Sequence, residues 1–238
     1  MGYFNRMTQK LPHADHPRVL SANAAFDAAL AVCACAADPD IALARSWSAI
    51  AHATQVRPDG SGTPYCAHPL SVATRVAGWW PTAPATVIVA ALLHDTLEDQ
   101  EVALVELAAQ RGVAVDSGAA ALAAVYGPAV LQLVQALTNA PWTGAPEGKN
   151  AAYRDHVVHT VVDDGLAGVV KLADFYDNAL ALHAVADPIK RAKLGAKYRP
   201  VVEALADGLG SLAPAHGLAA GQAARVVELR AALADWPG

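Results

Sequence analysis

The sequence is poor in charge. Only 17 Lys and Arg and 22 Asp and Glu stand among 238 residues, or 16%, against roughly 25% in an average soluble domain. Together with 54% hydrophobic residues, this excludes an intrinsically disordered chain, which has too little apolar surface to offset its ordering entropy. Basic runs are also missing, and the net charge is −5 with a pI of about 5.9. Duplex nucleic acid is therefore excluded as a partner, because it is held by clustered Lys and Arg. A small anionic substrate would need local cations or a metal. Cysteine is scarce: Cys33, Cys35 and Cys66 cannot pair completely and fit no pair of separated CxxC motifs. A disulfide framework and a zinc ribbon are excluded, and a reduced cytoplasm is the expected compartment.

Uninterrupted hydrophobic runs are lacking too. Residues 21–37 superficially resemble an export signal, but Asp27 interrupts them and Asp15 precedes them. Residues 77–93 are split by Pro81 and Pro84 and fall short of the ~20 apolar residues a membrane span needs. No membrane partner is expected. Strict apolar–polar alternation, which would mark half-buried strands, is absent, as are a fixed-period repeat and a heptad run. Residues 86–89 are β-branched but embedded in Ala and Leu.

What the chain has is alanine, the best helix former and a close packer. The expected fold is all-α, a single helical domain of about ten helices over residues 21–238 behind a flexible tail at 1–20. Caps and prolines predict helices over 21–37, 41–54, 69–79 and 84–97. Further helices are expected over 101–111, 116–126, 128–138, 150–163, 165–183, 187–195, 198–208 and 219–235. Residues 57–66 and 144–148 are dense in turn formers and read as loops.

Chemistry concentrates at four places. His94 and Asp95 close a strongly apolar helix, His68 precedes Pro69 at a loop-to-helix junction, and Asp174 sits inside the apolar segment 169–174. A carboxylate there is costly to bury unless paired or bound to a metal. Two imidazoles and two carboxylates can hold a divalent first-row ion and leave positions for water and substrate. Taken singly, each is as well explained by a satisfied core histidine or a capping aspartate. Glu98 follows His94 by one turn and shares its face if the helix continues, and Asp99 follows where it should end. Carboxylates so placed can orient or deprotonate an attacking water, although a solvated acidic helix end is the bland alternative.

These segments resemble a known family. They are His52-Ala-Thr-Gln55-Val-Arg57, the loop from Gly62 through Tyr65 to His68-Pro69-Leu70, the run from Ala90 through His94-Asp95 to Glu98-Asp99, and Val170-Lys171-Leu172-Ala173-Asp174 with Asn178 one turn later. In order and spacing, over about residues 24–205, the chain resembles the HD-domain phosphohydrolases of the RelA/SpoT type, above all the small alarmone hydrolases. The resemblance implies one Mn²⁺ held by His68, His94, Asp95 and Asp174, with Glu98 and Asp99 as catalytic carboxylates. It implies that Arg57 contacts the nucleotide base and that Asn178 lies beside metal and ribose. The implied reaction removes pyrophosphate from the 3′ position of guanosine tetra- and pentaphosphate.

The sequence departs from the family pattern at Pro58, where a basic residue commonly follows the arginine, and at Phe175-Tyr176-Asp177. The stretch between Asp95 and Asp174 is long, with an extra helix or lengthened loop expected around 113–124. An adenosine alarmone, or a phosphate of NADPH or another nucleotide, therefore remains an alternative substrate. A non-catalytic nucleotide sensor would not need Glu98 and Asp99. Lys149, Tyr153 and Arg154 follow a Gly/Pro loop and are candidates to reach phosphates. Trp79 and Trp80 read as core or interface aromatics, and the apolar, Trp-bearing surface is compatible with a homodimer.

Overall fold

A computed structural model describes residues 11–208 and 219–234. Among these residues the secondary structure is helical: α1 (Pro17–Leu30), α2 (Pro39–Ala51), α3 (Ala67–Trp79), α4 (Ala85–Leu93), α5 (Thr96–Asp99) and α6 (Glu101–Gln110), then α7 (Gly118–Tyr126), α8 (Pro128–Leu137), α9 (Lys149–Asp163), α10 (Gly165–Ala181), α11 (Pro188–Asp207) and α12 (Ala219–Ala234). Two single 3-10 turns lead into α9 and out of α10. The all-α expectation holds. No described helix is long and apolar enough to cross a membrane.

Capping chemistry sets most boundaries. The carboxylates of Asp38, Asp164 and Asp187 accept the first free amides of α2, α10 and α11, as short polar side chains do at helix starts. Gly127 takes a φ of +85° between α7 and α8 and Pro128 follows it, so one helix stops and the next begins without a linker. Helix α7 lies within the long stretch expected to hold an insertion and packs between α6 and α8.

Two cores result. The larger surrounds α4, whose residues Val87 to Leu93 are all buried, against α2, α3, α8 and α10. Complete burial favours a helix there despite its β-branched residues, because every backbone group is satisfied within the segment. The smaller core joins Val157 of α9, Phe175 of α10, Tyr198 and Val201 of α11, and Leu229 of α12. Helix α10 belongs to both: Val169, Val170 and Ala173 face one, Leu172, Phe175 and Ala179 the other. Close packing of α10 on α9 needs Gly168, where a Cβ would lie 2.9 Å from the carbonyl oxygens of both Thr160 and Val161.

Three boundaries differ from the sequence reading. Helix α1 begins at Pro17 and ends at Leu30, not 21–37; Val19 is buried and His13 Nε2 lies 2.6 Å from the Ala53 carbonyl oxygen, so residues 11–20 join the packed body rather than a tail. Residues 1–10 and 235 lie outside the described part. The expected helices at 187–195 and 198–208 are one helix, α11, with Pro200 inside it. Proline forfeits the amide bond to the Ala196 carbonyl, but burial of Gly195, Tyr198, Val201, Val202 and Leu205 carries the helix through. The helix expected over 84–97 stops at Leu93, and α5 is a separate turn.

Candidate metal centre and active site

The break between α4 and α5 creates the centre. His94 and Asp95 stand where α4 gives way to α5, although adjacent side chains of a helix point about 100° apart. Here Asp95 has φ −92° and ψ −9°, Thr96 Oγ1 donates back to the Leu93 carbonyl, and both side chains converge. His68 reaches the same point from the first turn of α3, and Asp174 from the middle of α10. His94 Nε2 lies 3.0 Å from Asp95 Oδ2 and 3.7 Å from Asp174 Oδ1. His68 Nε2 lies 3.2 Å from Asp174 Oδ1 and 3.6 Å from Asp95 Oδ2.

This donor set fits a divalent cation. Both Nε2 atoms are buried with no hydrogen-bond partner, and buried polar atoms left without one are costly. The separations of 3.0–3.7 Å are those of neighbouring donors around one ion bound at roughly 2.1 Å. His68, His94 and Asp95 form the cluster of possible metal ligands found among the described residues, and Asp174 closes it from the opposite helix. Burial would raise the Asp95 and Asp174 carboxyls, but the neighbouring imidazoles hold both well below the ordinary carboxylate range, with Lys171 helping at Asp174. Burial alone would keep His94 neutral; the two carboxylates more than reverse it and raise its proton affinity. Tyr65 Oη donates to Asp95 Oδ2 at 2.7 Å, and burial together with Asp95 pushes the phenol far above its usual range.

Glu98 and Asp99 sit on α5 at the exposed mouth, held by different loops. Glu98 Oε2 accepts from both the backbone N and Nδ2 of Asn139, each at 3.0 Å. Asp99 Oδ2 accepts from Gln55 Nε2 at 2.9 Å. Gln55 Oε1 in turn accepts from Gln100 Nε2 at 3.1 Å and lies 2.6 Å from His52 Nδ1. Gln55 is held by a small loop: Arg57 N donates to the Thr63 carbonyl, Tyr65 N to that of Gln55, and Gly60 and Gly62 make the positive-φ bend. Both carboxylates are thus carried on α5, directly after His94 and Asp95.

The predicted cationic residues divide. Arg57 is 8% exposed, donates to Asn178 Oδ1 at 3.2 Å and lies 3.6 Å from Asp177 Oδ2. Asn178 Nδ2 donates to Asp174 Oδ1 at 2.6 Å, so Asn178, with Arg57 bonded to it, adjoins the centre. Tyr153 packs against Tyr198 and under Lys197 Nζ, and burial, with Asp174 next, holds its phenol above the usual range. Lys149, exposed at the start of α9, acts with Lys171, after burial, to keep the Lys197 ammonium below the lysine range. Arg154 is not brought in: it donates twice to its neighbour Asp155, at 2.9 and 2.6 Å.

Four residues of the cleft escaped the sequence reading. Gln55 stood within the quoted motif and Asp177 within the divergent one, but no spacing rule marks a supporting side chain. Asn139 depends on where the α8–α9 loop returns. Lys197, with Nζ 3.7 Å from the Tyr153 ring centroid, depends on α11 running unbroken. Lys171 is buried beside them: Nζ donates to the Leu137 carbonyl at 3.0 Å and lies 3.5 Å from Asp174 Oδ2.

A helical body with two imidazoles and two carboxylates converging between three helices defines a class, and the sequence matches it: the family model described as HD domain covers residues 44–212, and the chain belongs to the HD-domain family. A protein of Danio rerio, guanosine-3′,5′-bis(diphosphate) 3′-pyrophosphohydrolase MESH1, is 32% identical to it over 129 residues. That alignment covers 54% of this chain and 61% of the relative, under two thirds of the relative's length. The solved structure of a metazoan ortholog of SpoT, which hydrolyzes ppGpp and plays a role in starvation responses, shares the fold. Its TM-score is 0.60 over 82% of this chain and 96% of that one, at 21% identity.

Proposed function

We propose that the protein is a manganese-dependent hydrolase that removes the 3′-pyrophosphate of ppGpp or pppGpp, giving GDP or GTP and pyrophosphate. The observation that carries this reading is the convergence of two unpartnered imidazole Nε2 atoms and two carboxylates beside Glu98 and Asp99. His68, His94, Asp95 and Asp174 hold one Mn²⁺ per chain. Such an ion, when bound, polarises water and neutralises phosphate charge. The P–O3′ bond breaks, water supplies oxygen to phosphorus, and the ribose oxygen leaves with a proton. Glu98 or Asp99 takes the water proton: each has one oxygen fixed by Asn139 or Gln55 and the other available. Arg57 and Asn178 hold base and ribose, while Lys149 and Tyr153, with Arg154 once turned from Asp155, bind phosphates.

The MESH1 relative, named for this reaction, and the match to the SpoT ortholog support the substrate. We place the enzyme in the cytoplasm, as one domain that takes in residues 11–20 as well as the expected 21–238, acting on a small nucleotide, with a homodimer as the assembly to test. A second reading keeps the reaction and exchanges guanosine for adenosine. It is favoured by Pro58 and by the engagement of Arg57 with Asn178 and Asp177, which leaves fewer donors for a guanine edge.

The test is product analysis of manganese-loaded protein offered ppGpp, its adenosine counterpart and NADPH. Pyrophosphate released from ppGpp establishes the proposal. Release from the adenosine compound alone moves it to the second reading, and orthophosphate from NADPH alone overturns both.

A further inference from the structure

The two histidines of the centre are supported differently. His94 Nδ1 lies 2.9 Å from the Ala91 carbonyl oxygen, so the backbone of its own helix orients it. His68 Nδ1 instead lies 2.8 Å from Asp177 Oδ2. A carboxylate only accepts, so the ring proton must sit on Nδ1. With Nδ1 so engaged, Nε2 is the ring atom turned toward Asp95 and Asp174. The other Asp177 oxygen accepts from Arg75 Nη2 at 3.0 Å, so both oxygens are engaged and the carboxylate plane is fixed.

The register of two helices makes this possible. Asp177 stands three residues after Asp174 on α10, and Arg75 two turns after His68 on α3, so each pair shares a helix face. The α3–α10 contact thus carries a ligand pair and, beside it, the pair that supports it.

We propose that Asp177 is the positioning residue of the metal centre: it fixes His68 in the Nδ1–H tautomer with Nε2 free to ligate, and Arg75 holds it in place. Carboxylates behind ligating histidines fix ring orientation and raise ligand basicity, and losing one typically weakens metal binding 10- to 100-fold. The inference rests on the metal-binding reading of the site and not on the substrate. A protein that binds manganese with Asp177-dependent affinity but cleaves no alarmone would sink the proposed function and leave this inference standing.

The test has two readouts besides activity. First, long-range ¹H–¹⁵N spectra of the full-length, metal-stripped protein, with His68 assigned by comparison with His68→Gln, report the tautomer. Second, competition with a fluorescent chelator reports manganese affinity. The wild type is expected to carry the Nδ1 proton. Asp177→Ala is expected to lose that preference and to bind manganese about 10- to 100-fold more weakly. Asp177→Asn, whose amide oxygen still accepts, keeps the tautomer with an intermediate loss. Arg75→Ala removes the Asp177–Arg75 pair but leaves the acceptor, so the tautomer stays. An Nε2–H tautomer in the wild type, or wild-type affinity in folded Asp177→Ala, overturns the proposal. Should Asp177→Ala not fold, the wild-type tautomer and the Asp177→Asn affinity decide: wild-type affinity in Asp177→Asn overturns it.

Discussion

Glu98 and Asn139 are joined twice: one carboxylate oxygen accepts both the backbone and the side-chain amide of the asparagine. The joint fixes the Glu98 carboxylate, the proton acceptor of the proposed reaction, to the loop that follows α8. General bases contribute roughly 10²–10⁴ in rate. Glu98→Gln is therefore expected to lower kcat by about 10²–10³ while manganese binding, followed by metal analysis, stays intact. Asn139→Ala lowers kcat less and leaves KM nearly unchanged. Wild-type turnover in Glu98→Gln would remove the role assigned to it.

His94→Ala and Asp174→Ala are expected to lose metal and activity together. Binding to the folded state stabilises by mass action, about 2.7 kcal/mol at a hundredfold excess over Kd. Manganese should accordingly raise the thermal midpoint of the wild type and leave those of both variants unmoved. An equal manganese shift in His94→Ala would show that the ion binds elsewhere.

Gln55 holds Asp99 with its amide nitrogen and faces His52 with its oxygen. Gln55→Ala strips both, leaving His52 Nδ1 buried without its acceptor, a deficit of about 1–3 kcal/mol. Lower stability in urea and a reduced kcat are expected together. Full stability in Gln55→Ala would mean that His52 finds another partner.

His52 is fully buried. Burial depresses its proton affinity, and the Gln55 bond opposes this only in part. The unfolded chain therefore takes up a proton near pH 6.5, where the folded one does not. The stability contribution is complete above that pH and falls as the pH drops toward the depressed folded value, by up to about 1.4 kcal/mol per pH unit. His52→Gln should be less stable than wild type near pH 7.5, with the gap narrowing near pH 5.5. A gap that widens on acidification would contradict the sign.

Gly168→Ala forces a methyl group against two backbone carbonyl oxygens. Backbone cannot swing aside as a side chain can, so overpacking of about 1–3 kcal/mol is expected, read as a lower denaturation midpoint. Gly78→Ala meets nothing within 4 Å and serves as the control. Equal stability of the two variants would show that α9 and α10 separate freely.

The fold class was legible because alanine richness, caps and missing alternation all argue for helices. The cluster of His68, His94, Asp95 and Asp174 was legible because these residues are chemically costly where they stand: Asp174 in an apolar run needs a reason. The end of α4 was not, since apolar periodicity runs through Leu93 without a Gly or Pro and only Asp95's backbone conformation breaks it. Nor was the continuity of α11, where Pro200 is a strong local stop signal overruled by burial on either side. Supporting groups such as Gln55, Asn139 and Asp177 are ordinary surface residue types, and only their distant partners give them meaning.

Those partners are far apart along the chain. Tyr65 and Asp95 are separated by 30 positions, but His68 and Asp177 by 109 and Arg57 and Asn178 by 121. During synthesis at roughly 5–20 residues per second, the segment carrying both histidines leaves the ribosome several seconds before α10. Through that interval a nascent chain holds an incomplete set of ligands, with His68 lacking the carboxylate behind it. The four residues come together only once α10 is made, so on the function proposed above a chain interrupted before this helix could neither hold the ion fully nor cleave nucleotide.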